Sequence, residues 1–396
     1  MEERRVLLMN GEFVNYLKKV FIKAILHFFW LFPLNEKKIT LLNELSYTFG
    51  DSLKYFDIYL HYLSNKEYKI VFPIKDGAPP SVYSDDVIVV PGSFKYFKEI
   101  ITSGIIITNA GGVSYLPKRK KQRIISTWHG GGPYKKTSTD VYDNYWYKKQ
   151  AEMNANNTDF ILSSCEYFSA FEAKSMGYKP EEIIRAGLPR NDILFIDHDS
   201  IKKKVRKYYA IPDNTKFILF APTFRSKENE FSDLGAIKNY IELDPGMLIS
   251  TLEERYHCKW VCGIRLHPKL ANIDMSKLNV INCTNYPDMQ ELLCCADAVI
   301  SDYSSLIWDY SFTYRPIFLY APDIKQYEEE RGFYMPSSDW PYPIAHNNEE
   351  MRKIILEYDE NKYIQRVKEH HKASGSFENG NACEILLKLI EQKYRT

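Results

Sequence analysis

Short apolar runs, each closed by polar or turn-forming residues, repeat along most of this chain. They are rich in Ile, Val and Phe, too short for core helices, and seldom alternate with polar residues. That is the pattern of strands buried on both faces. In the first half the pattern predicts strands over 39–42, 68–72, 87–90, 105–108, 123–127, 160–163 and 183–185, with helices over 52–63, 94–102 and 167–176. A charged stretch over 197–206 precedes a second series. There the pattern predicts strands over 217–220, 260–265, 280–282, 298–300 and 316–320, helices over 289–294 and 304–312, and a mostly helical tail from Glu349. Short buried strands alternating with helices predict parallel sheets covered on both faces. The expected fold class is α/β, with two doubly wound Rossmann-like domains over 35–200 and 201–370, a leading segment over 1–34 and a C-terminal helix over 371–396.

The leading segment has a different pattern. Over 13–33 aromatic and aliphatic residues are punctuated by Lys18, Lys19 and Lys23, and Pro33 ends the run. The uninterrupted apolar stretch is well short of the ~20 residues needed to span a bilayer. No small-residue cleavage site follows, so a signal peptide is not expected. A basic helix with Trp30 and several phenylalanines on its apolar side predicts an amphipathic segment lying on a membrane surface. The same pattern also suits a helix packed on the body of the protein.

Composition narrows the function class. The 396 residues suffice for two domains with good cores. Lys and Arg total 52 against 51 Asp and Glu, a formal charge of +1, which removes any global electrostatic case for nucleic-acid binding. Seven cysteines, an odd number without a CxxC pair, read as reduced core thiols, and no metal-ligand spacing is visible. No metal or cofactor is expected.

The candidate chemistry lies where apolar runs end, and doubly wound sheets bind ligands at the carboxyl ends of their strands. Trp128-His129-Gly130-Gly131-Gly132 follows the 123–127 strand. His129 at this point can remove a proton from an acceptor hydroxyl. Gly130 and Gly131 let the backbone approach a ligand, and Lys135 and Lys136 can hold an anionic acceptor. Arg265-Leu266-His267-Pro268 brings a cation and a second histidine to one strand end. If the strand persists, Arg265 and His267 point the same way, and both suit a diphosphate. Ser301-Asp302-Tyr303-Ser304-Ser305 opens a helix, whose free N–H groups favour phosphate. Ordinary capping uses the same residues, so this motif is weak alone. Thr223 and Arg225 end another strand and can hold the same phosphates. Arg331 lies in what the residues themselves read only as a loop, and is the remaining candidate for the donor.

These motifs occur in a familiar order, with Arg315-Pro316-Ile317, Arg331-Gly332-Phe333-Tyr334 and Gly187-Leu188-Pro189-Arg190-Asn191-Asp192 among them. The chain resembles the CDP-glycerol glycerophosphotransferase family, the teichoic-acid primases and polymerases, from about Lys38 to the C-terminal helix. The resemblance implies a GT-B fold and a peripheral enzyme at the cytoplasmic face of the cell membrane. It implies transfer of glycerol phosphate or ribitol phosphate from a CDP-alditol to a hydroxyl of a lipid-linked glycan or polymer acceptor, releasing CMP. His129 matches the family's base, and His267, the second candidate catalytic histidine, matches the donor-diphosphate site together with Arg265. Ser304 and Ser305 match the helix start near the donor phosphates. The lysine-aromatic segment resembles the family's membrane-associating region. One departure is clear: where the family usually has Trp-His-Gly-Thr-Pro-Leu-Lys-Lys, this chain is one residue longer and lacks the threonine. A GT-B glycosyltransferase using a sugar nucleotide and a sugar-nucleotide epimerase are the alternative functions.

Overall fold

The computed structural model describes residues 2–64, 67–78, 83, 85–223, 242–266, 270 and 275–392, with residues 2–10 and 276 described in their backbone only. It divides into two compact units, Met1–Asp192 with Gly375–Thr396, and Ile193–Ser374. Both are parallel α/β sheets of the Rossmann-like kind.

The first unit is built on β1 (Asn35–Leu42), β2 (Lys69–Pro73), β3 (Val87–Val89), β4 (Ser103–Thr108), β5 (Arg123–Ser126), β6 (Phe160–Ser163) and β7 (Ile183–Arg185). They form one sheet in the order β3-β2-β1-β4-β5-β6-β7, with every pair parallel. The central strands are apolar on both faces, and Ile39, Leu41, Ile106 and Ile107 are fully buried. The sheet's direction of growth reverses between β1 and β4, so their carboxyl ends part and leave room for side chains. Its helices include α1 (Glu2–Leu26), α2 (Asp51–Tyr62), α3 (Phe94–Ile101) and α4 (Tyr145–Asn157). The apolar pattern does not announce α4, because the residues it buries are Gln150, Ala155 and Asn157. Its start is set by Asn144, whose side chain accepts from the N–H groups of Trp146 and Tyr147.

The leading segment is helical from Glu2, and a short 3-10 turn, His27–Leu31, follows it. One side of α1 packs on α4: Phe13 and Tyr16 meet the Trp146 ring at 4.6 and 5.4 Å, and Gln150 donates to the Glu12 carboxylate at 2.6 Å. Leu26 and Phe29 enter the core of the first unit, and Arg119 ties down the carbonyls of Phe29 and Phe32 at 2.7 and 2.8 Å. The other side leaves Val14, Leu17, Phe21, Ile25, Phe28 and Leu31 exposed. Among the described residues no helix is long and apolar enough to cross a membrane.

The second unit carries β8 (Thr215–Phe220), β9 (Lys259–Ile264), β10 (Ile281–Asn282), β11 (Ala298–Ser301), β12 (Ile317–Tyr320) and β13 (Ile344–Ala345). Their order is β10-β9-β8-β11-β12-β13, again all parallel, so the reversal falls between β8 and β11. The two-residue β13 is too short to leave an apolar run in the sequence. The described helices are α5 (Asp199–Tyr209), α6 (Pro245–Tyr256), α7 (Met289–Cys295), α8 (Leu306–Ser311), α9 (Ile324–Glu330), α10 (Asn348–Leu356) and α11 (Glu360–Ser374). The charged stretch expected to separate the domains is itself mostly helix, α5, with only Val205 buried.

The chain then returns. Residues from Gly375, including α12 (Ala382–Glu391), belong to the first unit, not to a separate segment. Asp192 holds the start of α12 by accepting from the N–H groups of Ala382 and Cys383 at 2.9 and 2.8 Å. All seven cysteines are free thiols, six of them buried.

Candidate active site

In the first unit the site assembles at the reversal point. Asn43 just follows β1, and Asn109 just follows β4. The Asn109 amide donates to the Asn43 side chain at 2.9 Å and to Asp51, the first residue of α2, at 2.7 Å. Asp51 also accepts from Arg190 at 3.0 Å. Burial alone would raise the Asp51 carboxyl, but the Arg190 guanidinium, the Asn109 amide and the Ser52 N–H together hold it below the ordinary carboxylate range. The same Arg190 donates to the backbone carbonyl of His129 at 2.8 Å.

His129 sits above this network, half-buried. Its Nδ1 is 3.0 Å from the Asn109 carbonyl. A carbonyl only accepts, so Nδ1 carries the proton and Nε2 keeps its lone pair. Burial lowers the imidazole's pKa, and Arg190 and Lys135 lower it further, outweighing the Asn109 carbonyl and Asp51, which raise it. The ring is therefore neutral at pH 7, as a general base requires. Trp128 precedes it in the left-handed region (φ 55°), a conformation a bulky residue adopts only when its surroundings impose it. Its indole N–H donates to Glu172 at 3.0 Å, and its ring lies 4.0 Å from the imidazole.

Of the glycines that follow, Gly132 has the positive φ (82°), and its N–H donates to Ser164 at 3.2 Å; Gly130 and Gly131 stay outside the left-handed region. Lys135 and Lys136 are half-buried, and Lys135 is near enough to act on His129.

In the second unit, Thr223 follows β8 and Asp302 follows β11, the two strands at that unit's reversal. Asp302 accepts from the Thr223 N–H at 2.9 Å, from its hydroxyl at 2.5 Å and from the Tyr303 N–H at 2.6 Å. Asp302, expected among the donor-binding groups, is buried and fixes Thr223 in place through both its N–H and its hydroxyl. Ser304 and Ser305 are half-buried at the start of α8, a six-residue helix that begins at Leu306, later than expected. The Ser304 hydroxyl accepts from the Leu306 N–H at 3.4 Å, whereas Ser305 makes no side-chain cap. Arg265 donates to the Tyr286 carbonyl at 2.8 Å. Arg331 caps the carboxyl end of α9. That corner is tied to the serine motif, since Tyr303 stacks on Tyr327 at 4.0 Å and Phe333 lies against both rings. Arg225 and His267 lie outside the described residues.

Sequence reasoning singled out His129 but missed Asp51, Asn109 and Arg190 as its support. Two signals were present: Asn109 closes an apolar run, and Arg190 belongs to the 187–192 motif. That motif has a structural logic. A Cβ on Gly187 (φ 79°) would meet Glu378 at 2.7 Å. Glu378 accepts from the Leu188 N–H at 3.2 Å and the Asn191 amide at 2.9 Å, and Arg190 is delivered to His129.

A family model described as CDP-glycerol:poly(glycerophosphate) glycerophosphotransferase matches residues 24–392. The chain is 28% identical over 363 residues to the teichoic acid poly(glycerol phosphate) polymerase of Staphylococcus epidermidis, covering 87% of this chain and 49% of that protein. It thus spans about half the length of that relative. It is 25% identical over 352 residues to the teichoic acid glycerol-phosphate transferase of Staphylococcus aureus, covering 84% of this chain and 88% of that one. Among solved structures, a histidine-to-alanine variant of the wall teichoic acid polymerase TagF is similar with a TM-score of 0.80 at 25% identity, with 98% of each chain covered.

Proposed function

Because this chain belongs to the CDP-glycerol:poly(glycerophosphate) glycerophosphotransferase family, we propose that it transfers an alditol phosphate, glycerol or ribitol phosphate, from a CDP-alditol to a hydroxyl of a lipid-linked glycan or polymer in teichoic-acid or capsule synthesis. The observation that carries the reading is the state of His129: Nδ1–H committed to a backbone carbonyl, the pKa lowered, Nε2 left as acceptor. A relative that only binds a nucleotide has no need of such a base.

In the proposed step the acceptor oxygen attacks the β-phosphorus of the CDP-alditol and its proton passes to Nε2 of His129. The new P–O bond forms as the bond from the β-phosphorus to the bridging oxygen breaks, and CMP leaves with that electron pair. Thr223, Arg265, Asp302, Ser304, Ser305 and Arg331 are the described candidates for holding the donor, and Arg225 and His267 are the candidates outside the described residues. Cations and N–H donors aimed at the transferring group stabilise the charge that spreads over its oxygens. Gly130, Gly131, Lys135 and Lys136 face the acceptor in this reading. No metal ion takes part in the step. We place the enzyme at the cytoplasmic face of the membrane through the exposed apolar side of α1.

Calorimetric titration with CMP, CDP-glycerol, CDP-ribitol, UDP and UDP-glucose tests the reading. Binding of cytidine ligands alone, with one CDP-alditol preferred, supports it and names the donor. Preference for uridine ligands overturns it in favour of a sugar-nucleotide glycosyltransferase or epimerase.

A further inference from the structure

At the edge of the first unit's sheet, three side chains that the transfer step does not use converge. Asp57 and His61 stand one turn apart on α2, and Asp86 immediately precedes β3, the edge strand. His61 Nε2 lies 3.5 Å from one Asp57 oxygen and 3.2 Å from one Asp86 oxygen. One ligand atom from each of the three falls within 4.8 Å of the others. Asp57 is 0% exposed, and neither of its carboxylate oxygens has a hydrogen-bond partner. The Asp86 side chain is 1% exposed. The Tyr83 ring stacks on the imidazole at 3.6 Å and holds its plane.

We propose that Asp57, His61 and Asp86 form a structural site for one divalent transition-metal cation of the zinc type, which clips α2 to the edge strand. A tetrahedral ion with bonds of about 2.0–2.1 Å holds its ligand atoms about 3.3–3.5 Å apart, and the two distances from His61 Nε2 bracket that spacing. Two carboxylates and one imidazole suit zinc, whereas magnesium favours oxygen ligands and keeps its water. Two buried carboxylates side by side otherwise repel each other and suffer desolvation, and a 2+ ion removes both costs. A pocket lined by His61, Lys69, Asp85 and Asp86, among others, opens beside two of the three ligands. Lys69 is exposed, so its charge is well solvated. The site is separate from the proposed transfer chemistry.

The test uses the full chain, stripped with EDTA, dialysed free of chelator, and titrated with zinc chloride or magnesium chloride. The expected result is one Zn²⁺ per chain, a rise in Tm of several degrees, and no comparable effect of Mg²⁺. Asp57→Asn and Asp86→Asn, nearly isosteric, are each expected to weaken Zn²⁺ binding at least tenfold with an unchanged circular-dichroism spectrum. Cobalt(II) added to the wild-type chain, which needs no variant to fold, is expected to show the visible absorption of a four-coordinate site. Absence of stoichiometric Zn²⁺ binding overturns the proposal, as does binding by both Asn variants as tight as that of the wild-type chain. So does a wild-type Tm indifferent to Zn²⁺ with Asp57→Asn more stable, which would mean that the two carboxyls simply share a proton.

Discussion

His129 is oriented by main chain, and that decides which substitutions should disturb it. Its Nδ1 partner is the Asn109 carbonyl, which every residue carries, so the Asn109 side chain acts only through Asn43 and Asp51. As the proposed base, His129→Ala should lower turnover roughly 10²–10⁴-fold while CDP-alditol binding, read by calorimetry, stays within a few-fold. Turnover unchanged by His129→Ala would remove the residue from that role. Arg190 is a positioning residue, bonded to Asp51 and to the His129 carbonyl. Arg190→Ala strands a largely buried carboxylate and should cost about 3–5 kcal/mol in urea unfolding, with a fall in turnover and little change in donor affinity. Because burial lowers the His129 pKa, the base form persists below the ordinary histidine value of about 6.5. The acid limb of the rate profile should therefore lie below that pH, and a limb centred above 7 would contradict the assignment.

Elements carry two further expectations. On α1, Leu17, Phe21 and Ile25 belong to the exposed apolar side, whereas Leu26 and, in the turn that follows, Phe29 are core. Deleting the segment would therefore damage the fold and confound a membrane assay. Phe21→Ser with Ile25→Ser should instead reduce sedimentation with anionic vesicles by an order of magnitude or more and leave Tm within a few degrees. Retained vesicle binding would turn the membrane reading toward a helix that serves only the body of the protein. On α11, His370 and His371 are buried and pushed by desolvation down to about 4 and about 3. His371 is bonded to Ser311 at 2.7 Å and stacked on Phe312 at 4.3 Å. Between those values and the unfolded histidine pKa, the unfolded chain binds more protons than the folded one. The stability these rings contribute is thus complete above about pH 6.5 and is lost as pH falls toward the folded values. The loss is about 2 kcal/mol per ring by pH 5. Thermal melting across this range should show the decline, and His370→Gln with His371→Gln should flatten it even if Tm is lower throughout.

The whole molecule uses one plan twice. Each sheet reverses its growth beside its first strand, and the candidate residues follow the strands around that reversal: Asn43, Asn109 and His129 in one unit, Thr223 and Asp302 in the other. Parallel strands aim all their carboxyl ends to one edge, so residues distant in sequence meet there without any local motif. The proposed transfer step relies on protein groups alone, which separates it from the metal clip on α2. Turnover at room temperature should survive EDTA even as the same treatment lowers Tm. Turnover abolished by EDTA and restored by magnesium would show that the chemistry needs an ion at the phosphates.

The sequence by itself determined the class of fold and the locations of most strands. Buried parallel strands must be apolar throughout, and Ile105-Ile106-Ile107 or Ala298-Val299-Ile300 admit little else. It also marked His129, because a histidine between an apolar run and three glycines is a local signal. Helices such as α4 and α5 were illegible in pattern, since α4 buries Gln150 and Asn157 and α5 buries only Val205. Only the tertiary structure decided that Asp51, Asn109 and Arg190 converge beneath His129. The same holds for Asp302, which holds Thr223 from 79 positions away, and for residues from Gly375, which close the first unit. These depend on hydrogen bonds between residues far apart in the chain, such as the 139 positions separating Arg190 from Asp51. Local periodicity reports which face of an element is buried; it carries no information about which distant polar group meets it there.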